Sequence, residues 1–183
     1  MRRANWMTAL AGMLVVGMLV VGCSTAPKKE SGREELRVES EATFKRMKLA
    51  DPWLSNLLDK SAGYVVFPAV GKGGLIVGGA YGRGEVYEAG EFVGYADLSQ
   101  ATVGAQIGGQ SFSELILFEN KAAVETFKQG KLAFSANASA VAMKAGAAES
   151  ARYTDGVLVF VMPQGGLMLE ASIGGQTFSY QPK

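Results

Sequence analysis

No histidine occurs among the 183 residues. That absence removes Ser-His-Asp and Cys-His catalysis, and with them the commonest general base near neutral pH. Most zinc sites go too, since they would need thiolates in place of imidazoles, and the chain has one cysteine, Cys23. A single thiol forms no internal disulfide, so the core must hold by packing. No serine is followed three residues later by lysine, which excludes a Ser-x-x-Lys dyad. An excess of one charge sign is also missing: 18 basic residues face 17 acidic ones. Proteins that bind nucleic acid by neutralising phosphates carry a basic surplus, so no nucleic-acid partner is expected. Carboxylate chemistry is the enzymatic reading left. Glu114 and Glu119 bracket the apolar run 115–118 and are expected to face solvent at the ends of a strand. The expectation is a protein with no catalytic residues, no metal and no cofactor.

Long apolar runs are scarce, and the one present opens the chain. Arg2 and Arg3 precede an uncharged stretch from Met7 to Val21, which ends in Val20-Val21-Gly22-Cys23. A charged start, an apolar centre and a small residue before the cleavage point make a secretory signal. The cysteine that follows resembles a bacterial lipobox. On this reading residues 1–22 are a signal peptide, and Cys23 carries a palmitate-type acyl anchor as the mature N-terminus. An uncleaved membrane helix is the competing reading. Ala4 to Pro27 is uncharged, but its apolar centre falls short of the roughly 20 residues a span requires. Loss of Arg2 and Arg3 turns 18 basic residues into 16 against 17 acidic, net −1. Ser24 stands where aspartate would suggest inner-membrane retention. Resemblance to known sorting behaviour therefore points to the periplasmic face of the outer membrane.

Residues 23–32 are polar and read as a flexible tether, with one domain over 33–183. Leu36, Phe44 and Met47 mark one helix. Asp51 and Pro52 end it and start another, carrying Trp53, Leu54, Leu57 and Leu58. After Lys60 the pattern becomes β-like and glycine-rich, with 13 of the 24 glycines between Gly63 and Gly109. Glycine inside strands marks bends, bulges or close backbone approach. Ala89-Gly90 predicts a tight hairpin turn. Asn120 caps a helix over Lys121–Gln129 that Gly130 ends. Residues 115–118 and 157–162 are apolar at every position and predict buried central strands. Lys131 to Val141 alternates as a strand, its inward residues shrinking to Ala136–Ala140, and Ala145 to Arg152 reads as a loop or short helix. Ile107-Gly108-Gly109-Gln110 recurs as Ile173-Gly174-Gly175-Gln176. Gly108, Gly109, Gly174 and Gly175 are therefore read as structural glycines that tolerate no side chain.

Gly71-Lys72-Gly73-Gly74 lacks the Ser or Thr and the following helix of a phosphate loop. Gly79–Gly84 likewise lacks the helix of a dinucleotide fingerprint. Lys72 and Arg83 remain as isolated cations among glycines, candidates for an anionic lipid headgroup, with solvated turn residues as the plain alternative.

The run Ser61-Ala62-Gly63-Tyr64-Val65-Val66-Phe67-Pro68 precedes glycine-rich Lys72–Gly84 and Gly104-Ala105-Gln106-Ile107-Gly108-Gly109-Gln110. Together with Glu114-Leu115-Ile116-Leu117-Phe118 and Phe134–Val141, this order resembles the SYLF domain family over about residues 55–180. The resemblance implies a non-enzymatic lipid-binding module. Eukaryotic relatives bind phosphoinositide membranes and in some cases actin, and bacterial ones are often exported lipoproteins. Met143–Arg152 departs from the family pattern, which usually has a Gly-Pro turn and an arginine there. The expected fold is α+β: two N-terminal helices packed on a glycine-rich, strongly curved, mostly antiparallel, barrel-like sheet with one inserted helix. The expected partners are membrane lipid through the acyl anchor and anionic phospholipid. A structural or interaction protein of the cell envelope without a lipid ligand is the alternative.

Overall fold

The computed structural model describes residues 25–74, 77–103, 110–135, 138–164 and 173–183. The leader, Cys23, Gly108, Gly109 and Ala136 lie outside the described residues. The first helix, α1 (Glu30–Ala50), buries Leu36, Ser40, Thr43 and Met47, a 4-3-4 spacing that keeps one stripe against the sheet. It stops where Pro52 cannot continue it. The buried Asp51 carboxylate accepts Trp53 N–H at 3.1 Å and Ala148 N–H at 2.6 Å. Asp51 thus joins the start of α2 (Leu54–Leu58) to α4 (Ala147–Ser150). The second N-terminal helix is a five-residue piece, shorter than its leucines suggest.

Seven strands follow: β1 (Gly63–Gly74), β2 (Val77–Glu88), β3 (Glu91–Val103), β4 (Gln110–Phe118), β5 (Val141–Ala142), β6 (Val157–Pro163) and β7 (Gln176–Pro182). They form one sheet in the order β5-β6-β4-β1-β2-β3-β7. Every pairing is antiparallel except β5 with β6. The β2–β3 hairpin turns at Ala89 and Gly90, both at positive φ, as a two-residue turn of this hand requires.

The sheet is covered on both faces. One face packs Val65, Phe67, Phe112, Ile116 and Phe178 against Val124 and Phe127 of α3 (Lys121–Lys128). The other packs Val66, Leu115, Leu117 and Phe160 against Met47, Leu54 and the α4 alanines. Double coverage explains why 115–118 and 157–162 are apolar at successive positions. The strand at the centre, however, is β1, and β6 lies next to the edge. Asn120 caps α3 by accepting Ala123 N–H at 3.0 Å, and Gly130 ends it at φ +66°.

The barrel-like expectation is corrected: the sheet is open and not strongly curled. Lys131 to Val141 does not supply the strand that would have joined its edges. That segment alternates, with Leu132, Phe134, Ala138 and Ala140 packed on the core, but among the described residues it contributes isolated bridges at Ala133, to Thr177, and at Ser139, and the first residue of β5. The glycines serve local irregularities instead. β1 slips register at Phe67–Pro68 against both neighbours, and Gly84 lies across from the slip. A Cβ on Gly84 would collide with the Val66 carbonyl and lie 2.7 Å from Phe67 Cδ1.

Candidate functional site

The register aligns five residues into one cross-strand row on the α3 face: Gln110, Lys72, Ala80, Gln100 and Gln176. Cross-strand partners share a face, and Ala80 belongs to the core there, so the row forms the polar rim of that core. Gln100 Nε2 donates to the Gly174 carbonyl at 2.8 Å, and Gln176 Nε2 donates to Glu114 Oε2 at 2.9 Å. Lys72 is half-buried in this row. Gly175 sits at φ +77°, where a Cβ would stand 3.2 Å from the Ala101 carbonyl, a conformation that favours glycine.

Glu114 overturns its expectation. It is fully buried, on the same side of β4 as Phe112 and Ile116. Burial pushes its carboxyl up to about 8, against a smaller lowering by the Gln176 hydrogen bond. Strand parity could have signalled this, because Glu114 lies two residues from each of those core positions.

Arg83 faces the other way. Its Nε donates to Asp97 Oδ1 at 3.2 Å and its Nη2 to Tyr81 Oη at 3.1 Å, while Tyr81 donates to the same Asp97 oxygen at 2.9 Å. Ala80 and Arg83 are an odd number of residues apart on β2, hence on opposite faces. The two headgroup candidates are therefore not brought together: Lys72 is level with Ala80, and Arg83 lies at the middle of β2, opposite Ala69 and Asp97, on the other face. On the Arg83 face, Glu85 is buried beneath α1 and accepts the Tyr87 hydroxyl at 2.7 Å, and burial raises its pKa.

A second feature is a cleft of about 550 Å³ between β6 and the 132–141 segment. Leu132, Phe134, Val141, Val157, Val159 and Ile173 line it together with Ser135, Ser139, Thr154, Arg152 and Asp155, a mixed apolar and polar surface. The alternating apolar residues of 132–141 were its signal in the sequence, read there as a strand's buried side.

This is an α+β domain with a cleft of mixed lining beside β6 and a buried polar rim along the α3 face. Residues 99–182 match the Ysc84 family, described as "Las17-binding protein actin regulator". The chain is also similar to Beta cell expansion factor A of Aeromonas veronii, 31% identical over 124 residues, which cover 67% of this chain and 47% of that protein. It thus spans about half the length of that curated relative. Over residues 99–182 the chain matches a Ysc84/SYLF domain, a class associated with lipid binding and generally non-catalytic.

Proposed function

We propose that this protein is a non-catalytic lipid-binding lipoprotein, acylated at Cys23 and held on the periplasmic face of the outer membrane. The observation that carries the lipid reading is the cleft beside β6. Its volume lies within the range of small-molecule sites, and its lining joins apolar side chains to Ser135, Ser139, Thr154, Arg152 and Asp155. An acyl segment fits the apolar side chains, and Arg152 suits an anionic headgroup. Lys72 and Arg83 act as two separate cationic contacts, one on each face. The anchor reading rests on the Arg2-Arg3 start, the apolar run and Val20-Val21-Gly22-Cys23.

The test is mass spectrometry of lipid co-purified with the full chain and with Ser139→Trp. Ser139 is exposed and borders the cleft, so the indole fills space without entering the core. Lipid bound to the wild type and lost from the variant supports the proposal. No lipid on the wild type sinks it and favours the envelope-interaction reading. The mass of the Cys23 peptide tests acylation separately, with Cys23→Ser as the unmodified control.

A further inference from the structure

Helix α1 carries apolar residues on two sides. Its buried stripe is Leu36, Ser40, Thr43 and Met47, and it packs on β1, β2 and α2. Two positions after each of these stand Val38, Ala42, Lys45 and Leu49, all exposed. Two residues turn an α-helix by about 200°, so this second row runs along the side away from the sheet. Val38 is 53% exposed and Leu49 83%, and the Lys45 stem adds methylenes between them. A surface helix ordinarily keeps that side polar.

Charge divides along the same helix. Residues 30–41 carry five glutamates and two arginines, whereas 42–50 carry Lys45, Arg46 and Lys48 and no acidic residue. Pairing within the chain leaves this division standing. Arg37 is taken up by Glu34 and Glu41. Glu35, Glu39, Lys45, Arg46 and Lys48 have no ion pair among the described residues. Arg46 donates to Thr43 Oγ1 at 2.8 Å and Lys48 lies over the Phe44 ring, contacts that neutralise neither charge.

An anionic bilayer would attract the second half of this face and repel the first. Another α1 laid antiparallel matches both halves at once. Glu39 and Arg46 are seven residues apart, two turns, and border one surface groove beside the helix. Glu41 and Lys48 have the same spacing on the opposite flank. In an antiparallel pair each flank faces its own symmetry mate, so glutamate meets a basic residue on both.

We infer that two copies of this chain pair through the outward face of α1, antiparallel about a two-fold axis between Ala42 and Lys45. Val38 of each copy lies against Leu49 of the other. Glu39 stands by the other copy's Arg46, and Glu41 by its Lys48. The patch is self-complementary, as a two-fold contact requires. This goes beyond the lipid reading and does not rest on it. The 21 residues of α1 span about 30 Å, and a strip about 10 Å wide along them is roughly 300 Å² per copy. A standard interface has about 800 Å² per partner, so the pair is reversible and the test must trap it.

Cys23→Ser removes the one native thiol. In that full-length background, Val38→Cys and Leu49→Cys are made with tags of different size, mixed and mildly oxidised. The antiparallel pair sets position 38 opposite position 49. Like positions are about 16 Å apart along the axis, beyond the roughly 7 Å Cα separation a disulfide bridges. The mixed dimer should exceed each like dimer well above the two-to-one ratio of random collision. Glu39→Lys in both proteins should suppress it, and adding Arg46→Glu should restore it; both positions are exposed, so the helix itself is spared. Random proportions, a lead for either like dimer, indifference to Glu39→Lys or failure of the rescue would each overturn the pairing. No mixed dimer, with the Leu49→Cys thiol shielded from a water-soluble maleimide by anionic vesicles, would overturn it too and give the face to a bilayer.

Discussion

Removing the charge of Glu114 should make the protein more stable in alkali and change little in acid. In the folded chain the carboxyl is fully buried on a core-facing position, with one oxygen held by Gln176 and Oε1 without a partner among the described residues. Its pKa is near 8 instead of 4.5. Between those two values the folded protein holds a proton that the unfolded chain has released. Stability must therefore be full below about 4.5, fall as pH rises, and level off above about 8. Each pH unit in that window costs about 1.4 kcal/mol for one proton, so the whole window amounts to about 5 kcal/mol. That figure is a ceiling, because water entry or local opening gives the carboxylate a cheaper state than the fully dry one. A few kcal/mol is the expected loss.

Glu114→Gln keeps the shape and still accepts the Gln176 hydrogen bond, with no charge to bury. Urea unfolding of wild type and variant at pH 5, 7 and 9, followed by circular dichroism, isolates the term, because all other titrating groups are common to both. The free energies should agree within about 1 kcal/mol at pH 5. At pH 9 the variant should be ahead by about 2–4 kcal/mol. A difference that stays constant from pH 5 to pH 9 would refute the reasoning: Glu114 would then be ionised in the fold or reached by water.

Asp51→Ala should cost about 2–4 kcal/mol, since it leaves two backbone donors, Trp53 N–H and Ala148 N–H, without their shared acceptor, and a thermal melt reads it directly. Gly84→Ala should lower the melting temperature clearly, whereas Gly71→Ala should leave it within the range of a surface change, about 0.5 kcal/mol. The contrast rests on what each added Cβ would meet, and equal melting temperatures would show that the β1 irregularity yields freely. Gly175→Ala should cost about 1–2 kcal/mol from its left-handed backbone, measured in the same melts.

How far the sequence could be read depended on whether each decision was local. The Asn120 cap, the Gly130 stop and the Ala89-Gly90 turn are written in two or three adjacent residues, and all three stand in the fold as read. Alternation in 131–141 was legible as well, but alternation states only that one side is buried. It does not say that a strand partner exists, and β7 and β6 each take up only a short piece of that segment. Double-sided apolarity marked β4 and β6 as covered on both faces, while the strand order that places β6 beside the edge depends on pairings far apart in sequence.

Lys72 and Arg83 show the same limit at the candidate site. Val65 and Phe67 face the α3 core, so an unbroken β1 would carry Lys72 to the opposite face, the one Arg83 occupies. The slip at Phe67–Pro68 inserts an irregularity that moves Val70, and Lys72 with it, onto the α3 side. One residue of slip reverses every side chain beyond it. Pro68 gave a reason to expect an irregularity in β1, since it has no N–H for a ladder, but not its sense. The two cations therefore stand on opposite faces through a backbone event some distance from both, and two cations on opposite faces of a sheet cannot line one pocket.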